Sequence, residues 1–415
     1  MRKIFLALIS GALVMAPAAA QMSLPGVGGL PDVGGMTGVG DVLRPVTGTL
    51  DRVNDDLARN ARQLLQLRER TLDRFVKRNR DVVEFDAQGA PARRGVLLAL
   101  DLTAEAREAL QQAGLPIADS EQIEGLDMAV ARIALPPGVS VAEGEALLAR
   151  IAPGAKIAPD NLHFQSGTVL QAVAALPPPA SSRTATSVPV GIIDGAPGEK
   201  TKVSAARGFA EGAPVASNHG SAIVSLLQGA GIDDIRVADI YGTDRAGGNA
   251  LALARGLGWL VGNGSKVVTI SLVGPRNSVV ERAIAKAQSK GVLVVAAVGN
   301  DGPAAPPAYP ASYSNVVAVT AVDGRRRALI EAGKALHLDY AAPGADIWAR
   351  DKNGRRVKVR GTSYSTPMVA ARAAHALERG SRWRTALDGE AQDLGARGAD
   401  DVFGRGLLCA RCSAK

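Results

Sequence analysis

Aromatic side chains are scarce in this chain: Phe, Trp and Tyr make up 3% of its 415 residues, and there are four histidines and two cysteines. Each shortage excludes something. Nucleic-acid surfaces that stack bases need aromatic platforms interleaved with Lys and Arg. None is present, so the net charge of +8 does not point to a nucleic-acid partner. The two cysteines, Cys409 and Cys412 in LLCARCSAK, do not by themselves make a zinc site. They also lack the strand–helix setting of a redox centre. In an oxidising compartment they predict a small local disulfide. No apolar run is long enough to span a bilayer. The one at the start, Ile4 to Met15, follows Arg2 and Lys3 and precedes Ala18, Ala19 and Ala20, the pattern of a cleaved secretory signal over residues 1–20. No cysteine stands at the cleavage point to take a lipid. The expectation is an exported, periplasmic or extracellular protein with no transmembrane segment after signal removal.

Apolar residues reach 47%, ample for a packed core, and the length leaves room for two or three domains. Charge is unevenly spread. Residues 188–415 hold 29 Lys and Arg against 20 Asp and Glu, a balance of +9, while residues 95–164 hold 4 against 10, a balance of −6. Opposite signs in one chain predict that the two parts dock on each other.

Residues 21–45 are Gly-rich, with Pro25 and Pro31, and read as a flexible tether. Residues 46–94 form an amphipathic helical segment. Leu50, Val53, Leu57, Leu64, Leu65, Leu72, Phe75 and Val76 recur at helical spacing, with Arg59, Arg62, Arg68, Arg70, Arg74, Lys77 and Arg78 on the other face. Packing on its own protein is the plain expectation, with a membrane surface or partner as the alternative. Residues 95–164 follow as strand Gly95–Leu102, helix Thr103–Gly114, strands Ile117–Ile123 and Met128–Leu135, helix Val141–Ile151 and strand Lys156–Phe164. This βαββαβ order is the ferredoxin-like split. Residues 165–187 lose periodicity around Pro177, Pro178 and Pro179 and read as an exposed linker open to nicking.

From Val188 apolar strands alternate with helices. The strands are Val188–Ile193, Ile235–Ile240, Lys266–Leu272, Val292–Val298 and Val316–Val322. Helices begin at Gly220, Ala250, Val279 and just after Arg360. That grammar predicts an α/β fold, a mostly parallel sheet with helices on both faces and a site at the carboxyl ends of its strands.

Candidate chemistry gathers at those ends. Asp194 closes the first strand and His219 opens the next helix in NHGSA. Asn300 follows a strand in AAVGND, and Ser363 lies in RGTSYSTPMVAARAAHAL, where Pro367 suits the first turn of an Ala-rich helix. A serine at a helix N-terminus sits among free N–H groups that favour developing negative charge. Of the four histidines, His163 lies in the acidic part, His337 in a polar stretch and His375 far along the Ser363 helix. His219 is the one placed to serve as base, with Asp194 fixing its tautomer. Asn300 can donate to an oxyanion beside the Ser363 N–H. Singly, each residue has a bland explanation as a cap, a packed ring or a turn residue; together they are hard to explain blandly.

Asp194-Gly195, His219-Gly-Ser-Ala, Val298-Gly-Asn and Gly361-Thr-Ser-Tyr-Ser-Thr-Pro, in that order, resemble the subtilisin-like serine proteases over roughly residues 188–408. The resemblance implies Asp194, His219 and Ser363 as catalytic triad and Asn300 as oxyanion residue. It also implies Ser271, Leu272, Val273 and Gly274 as the backbone rail that pairs with an extended polypeptide substrate. Further, it implies that residues 95–164 are a propeptide that assists folding and blocks the cleft, with a maturation site in 165–187 and a catalytic domain over 188–415. Gly195-Ala196 stands where the family usually has Ser/Thr-Gly, and Ser221 replaces its usual Thr. The triad spacings, 25 and 144 residues, are compact. With no acidic loop cluster in view, no cofactor is expected, and calcium, which the family often binds, has no support in the sequence. GAPGEKT at 195–201 is not a phosphate loop, because Glu199 separates Gly198 from Lys200. The implied activity is a serine endopeptidase made as an autoinhibited, self-processing precursor. The alternatives are a catalytically silent scaffold on the same fold, or an esterase at the same site.

Overall fold

The computed structural model describes residues 39–166, 168–172 and 185–409. The signal segment, residues 21–38, the Pro177–Pro179 run and Cys412 lie outside them. The chain order is α1 (Val39–Arg78), β1 (Val83–Phe85), β2 (Pro91–Leu100), α2 (Ala104–Gln112), β3 (Ile117–Ile123), β4 (Met128–Ala134), α3 (Val141–Ile151) and β5 (Lys156–Asn161) in the N-terminal unit. β6 (Phe164–Gln165) and β7 (Thr168–Ala172) follow. The body runs β8 (Val190–Asp194), β9 (Ala205–Gly208), α4 (Asn218–Gly229), β10 (Ile235–Asp239), α5 (Ala250–Gly262), β11 (Val267–Ile270), β12 (Leu272–Val273), α6 (Ser278–Ser289) and β13 (Leu293–Ala297). It ends with β14 (Val317–Val322), β15 (Tyr340–Pro343), β16 (Ile347–Arg350), β17 (Arg356–Arg360), α7 (Thr362–Glu378) and α8 (Trp383–Glu390).

In the N-terminal unit β5, β2, β4 and β3 lie side by side and antiparallel, the order that the βαββαβ pattern gives. Thr103 caps α2, and Ser140 with Glu143 forms a reciprocal capping box on α3. β2 is buried on both faces. Leu97 and Ala99 face Leu110, Ile133 and Leu148 under the two helices, whereas Leu98 and Leu100 join Met128, Val130 and Ala158 against α5 and α6 of the body. Hence GVLLAL reads as an unbroken apolar run instead of an alternating one.

The body carries a seven-stranded parallel sheet in the order β15-β14-β13-β11-β8-β10-β9. The order reverses at β8, whose neighbours are β11 and β10, and a doubly wound sheet opens a crevice at such a point. α5 and α6 cover one face, and α4 and α7 the other. Among the described residues no helix is long and apolar enough to cross a membrane. Cys409 is buried and disulfide-bonded.

The structure corrects several boundaries. α1 begins at Val39, inside the expected tether, because Val39, Val42, Leu43 and Val46 continue the helical spacing. Residues 83–94 are not helical: Asp86 Oδ1 accepts the Gln88 and Ala90 N–H groups, Gly89 takes φ +75°, and β1 pairs back on β2. The expected strand Lys156–Phe164 splits after Asn161, and Phe164–Gln165 leaves the sheet to pair with β12. The expected linker is therefore occupied at its start, and its residues Thr168–Ala172 pair with β17. The expected strand Lys266–Leu272 breaks at Ser271. Pro367 stands in the second turn of α7, not the first. The carbonyl it leaves without a helical donor, that of Ser363, accepts the Ser271 hydroxyl at 2.9 Å instead. β9 and β15 to β17, each of four or five residues, and α8 were not expected; such short elements carry too little pattern to read.

The expected charge complementarity takes the form of ion pairs ringing the shared apolar face. Asp101 pairs with Arg282, Glu121 with Arg255, Glu124 with Arg207 and Asp127 with Lys290. Outside residues 95–164, Asp81 pairs with Arg245, and Arg93 with Asp244, the latter with the signs reversed. In every pair but Arg93–Asp244 both side chains are at least a quarter exposed, so solvent screens these pairs and each adds little. A buried Leu contributes about 1.5–3 kcal/mol. Apolar burial therefore sets the strength of docking, and charge sets its orientation.

Candidate active site

Asp194 ends β8 at the switch point and is fully buried. Its Oδ1 accepts the Gly195 N–H at 2.7 Å and the Gln165 side-chain amide at 2.8 Å. Its Oδ2 lies 2.7 Å from His219 Nδ1. A carboxylate only accepts, so Nδ1 carries a proton, and in the neutral ring Nε2 then keeps its lone pair. His219 sits in the first turn of α4, where Ser217 caps the helix. Its ring packs on Tyr364, with centroids 5.4 Å apart, and Nε2 has no hydrogen-bond partner among the described residues. His337 and His375 spend a ring nitrogen on the carbonyls of Val316 and Ala230.

Ser363 is carried by the start of α7, which lies on the same face of the sheet as α4. Gly361 precedes α7 with φ 138°, a conformation that side chains resist, and it turns β17 into the helix. Ser363 Oγ donates to the Ser271 carbonyl at 2.9 Å and lies 2.7 Å from Ser166 Oγ. Among the described residues no hydrogen bond joins Ser363 to His219. Asn300 follows β13 and stands beside the start of α7. The Thr362 N–H donates to its side chain at 3.0 Å, which makes that atom Oδ1 and leaves Nδ2 buried without a partner among the described residues.

The groove beside these residues is filled by the chain itself. Leu272 pairs with Gln165 and Val273 with Phe164, antiparallel. The Ser166 N–H donates to the Ser271 carbonyl at 3.3 Å, and the Ser363 N–H donates to the Ser166 carbonyl at 3.2 Å. Gly274 differs from the expected rail: its N–H and C=O pair with Tyr309. It serves the groove by lacking a side chain, because the His163 ring lies 2.5 Å from where its Cβ would be. Ser271, Leu272 and Val273 thus line the occupied groove, while Gly274 makes room.

Sequence reasoning missed Gln165 and Ser166, which it placed in an exposed linker. The one local signal is the small Ser166-Gly167 pair directly after a strand-like run. Among the described residues no three His, Cys, Asp or Glu side chains converge as a metal site needs. A nucleophilic hydroxyl, an imidazole oriented by a carboxylate, and N–H donors around a carbonyl are together able to do acyl transfer.

A model of the subtilase family matches residues 198–406. The chain is 31% identical over 245 residues to the minor extracellular protease Epr of Bacillus subtilis (strain 168), covering 54% of this chain and 38% of Epr. Over 206 residues it is 32% identical to subtilisin Savinase of Lederbergia lenta, covering 48% of this chain and 74% of Savinase. The crystal structure of fervidolysin from Fervidobacterium pennivorans, a keratinolytic enzyme related to subtilisin, superposes with a TM-score of 0.62 at 17% identity. That match covers 77% of this chain and 61% of fervidolysin, so the shared fold extends beyond the body. The chain thus spans 38% of Epr and 61% of fervidolysin, less than two thirds of either.

Proposed function

Because this chain belongs to the subtilase family, we propose that it is an exported serine endopeptidase, made as an autoinhibited precursor that cuts its own peptide bond after Ser166. The observation that carries this reading is the Ser166 carbonyl. It accepts the Ser363 N–H in the groove while the Ser363 hydroxyl lies against the same residue. An extended peptide would lie along Ser271–Val273 as Phe164–Ser166 does. A rotation of the Ser363 side chain away from the Ser271 carbonyl would bring Oγ toward the unpartnered Nε2 of His219. Oγ then attacks the Ser166 carbonyl carbon and passes its proton to Nε2, and Asp194 stabilises the imidazolium. The oxyanion takes the Ser363 N–H and Asn300 Nδ2. Collapse breaks the bond to Gly167, whose nitrogen leaves with the His219 proton, and water hydrolyses the Ser166 ester on Ser363. Residues 80–166 act as propeptide. They stay docked through the α5–α6 face and block the groove as a bound product.

The purified chain, starting at Gln21 once the signal is removed, should yield two fragments, the second with a new N-terminus at Gly167, and Ser363 should react with a fluorophosphonate. Ser363→Ala should remain uncut, a loss on the order of 10⁶, the scale found when subtilisin loses its serine. Cutting of purified Ser363→Ala at the same bond would overturn self-processing.

A further inference from the structure

Helix α1 lies outside the sheet that docks on α5 and α6, yet it reaches the groove. Leu64, Arg68 and Phe75 fall on one stripe, four and then seven residues apart. Leu64 lies against Gly302, close enough that a Cβ there would meet its side chain at 2.9 Å. Arg68, which the helical pattern assigns to the solvent face, instead donates to Asp301 Oδ2 at 3.0 Å. Phe75 meets Phe164 edge-on, with centroids 5.3 Å apart and planes at 89°. Asp301 and Gly302 directly follow Asn300. Between helix and body remains a cavity of about 670 Å³, bordered by Leu67 and Thr71 on one side, Val273 and Tyr309 on the other, and Ser166 at its end. The helix thus roofs the groove on the side where residues preceding a cut bond must lie.

These contacts differ from those of Phe164–Ser166. A cut strand holds the groove as a product does, by main-chain pairing. Among the described residues α1 makes no main-chain pairing with the groove; it covers the opening by side chains from the outside. We propose that the Asp301–Gly302 rim is a docking surface whose occupant is α1 of the same chain, and that α1 is a second inhibitory segment that delays activity after the Ser166–Gly167 bond is cut. This rests on the self-processing reading above. The ion pair alone is weak, since the Arg68 and Asp301 side chains are 32% and 42% exposed. The helix acts through its tether to the docked sheet, which keeps its local concentration high.

The test uses the full-length chain carrying Leu64→Asp and Arg68→Glu. Cutting after Ser166 is followed by mass spectrometry, and activity by a small chromogenic peptide. The expected result is an unchanged rate of cutting with a lag before peptide hydrolysis shortened roughly tenfold, the weight of about 1.4 kcal/mol. Arg70→Glu, the same charge change at an exposed position of the same helix, should keep the wild-type lag, and Arg68→Lys should keep most of it. Normal cutting with an unchanged lag in the double variant overturns the proposal alone. A wild-type chain that is never cut and does not label overturns both readings.

Discussion

Apart from α1 on the Asp301–Gly302 rim, the N-terminal unit meets the body in two places, and the two differ in kind. The sheet face is broad and made by side chains: Leu98, Leu100, Met128, Val130 and Ala158 share one core with α5 and α6. The Phe164–Ser166 segment is narrow and made largely by main chain, with β6 on β12 and the Ser166 peptide groups held by Ser271 and Ser363. The first holds no group of the candidate active site. The second has one apolar side chain, Phe164, and each of its hydrogen bonds contributes about 0.5–1.5 kcal/mol net. Affinity and chemistry are therefore assigned to separate surfaces, and a substitution in one should leave the other working.

Leu98→Asp should break the broad side with the largest effect. It places a carboxylate in a core fully closed to water, while Leu97 on the other face of β2 still packs under the helices. An unpaired buried charge costs at least about 4 kcal/mol, or roughly a thousandfold in the hold on the cut N-terminal fragment. Size-exclusion chromatography after cutting should show the fragments separated. Co-elution as in the wild type would mean that the narrow segment holds the complex. Asn300→Ala should break the narrow side alone. Cutting should slow by about 10²–10³, the scale of the oxyanion asparagine in subtilisin, with co-elution of whatever is cut. A wild-type rate would leave the Ser363 N–H as the sole donor that matters.

The same contrast explains what was legible in the sequence. Elements closed by local rules could be read: α2 and α3 through their helical spacing, which Thr103 and the Ser140–Glu143 box cap in the structure, and the parallel strands through their apolar runs. Asp194, His219, Asn300 and Ser363 could be read because each sits at the end of such an element, and the sheet brings the ends together. The fates of Phe164, Gln165 and Ser166 could not. Those residues follow β5 without any local stop signal, and their partner, Leu272–Val273, lies more than a hundred residues away. Arg68 misled for a related reason. A basic residue on a helix is assigned to solvent by pattern, and only the fold reveals Asp301 opposite it.

Two buried titratable groups, one on each side of the divide, sharpen the contrast further. Asp160 belongs to the broad side. Its Oδ1 accepts the Leu251 N–H at 3.0 Å at the start of α5, and burial pushes its carboxyl up to about 6 against the pull of that amide and of Arg93, Arg132 and Arg255. His163 opens the narrow side. It is closed to water between Gly248 and Gly274, with neither ring nitrogen reaching a partner in good geometry, and the Tyr241 hydroxyl donates to its carbonyl. Burial pushes its imidazole down to about 4, with the Asn161 and Gly248 carbonyls pulling the other way. A free histidine titrates near 6.5. The released form of His163 therefore takes up its proton first, and docking weakens as pH falls from about 6.5 to about 4. For Asp160 the docked form takes up its proton first, so docking strengthens as pH falls from about 6 toward the free value near 3.9. The two slopes oppose, and retention of the cut fragment on immobilised body should change little between pH 6 and pH 4 in the wild type. Asp160→Asn should leave the histidine slope, with retention falling by up to about a hundredfold over that range. His163→Phe should leave the opposite slope. Flat profiles in both variants would show that neither group senses docking.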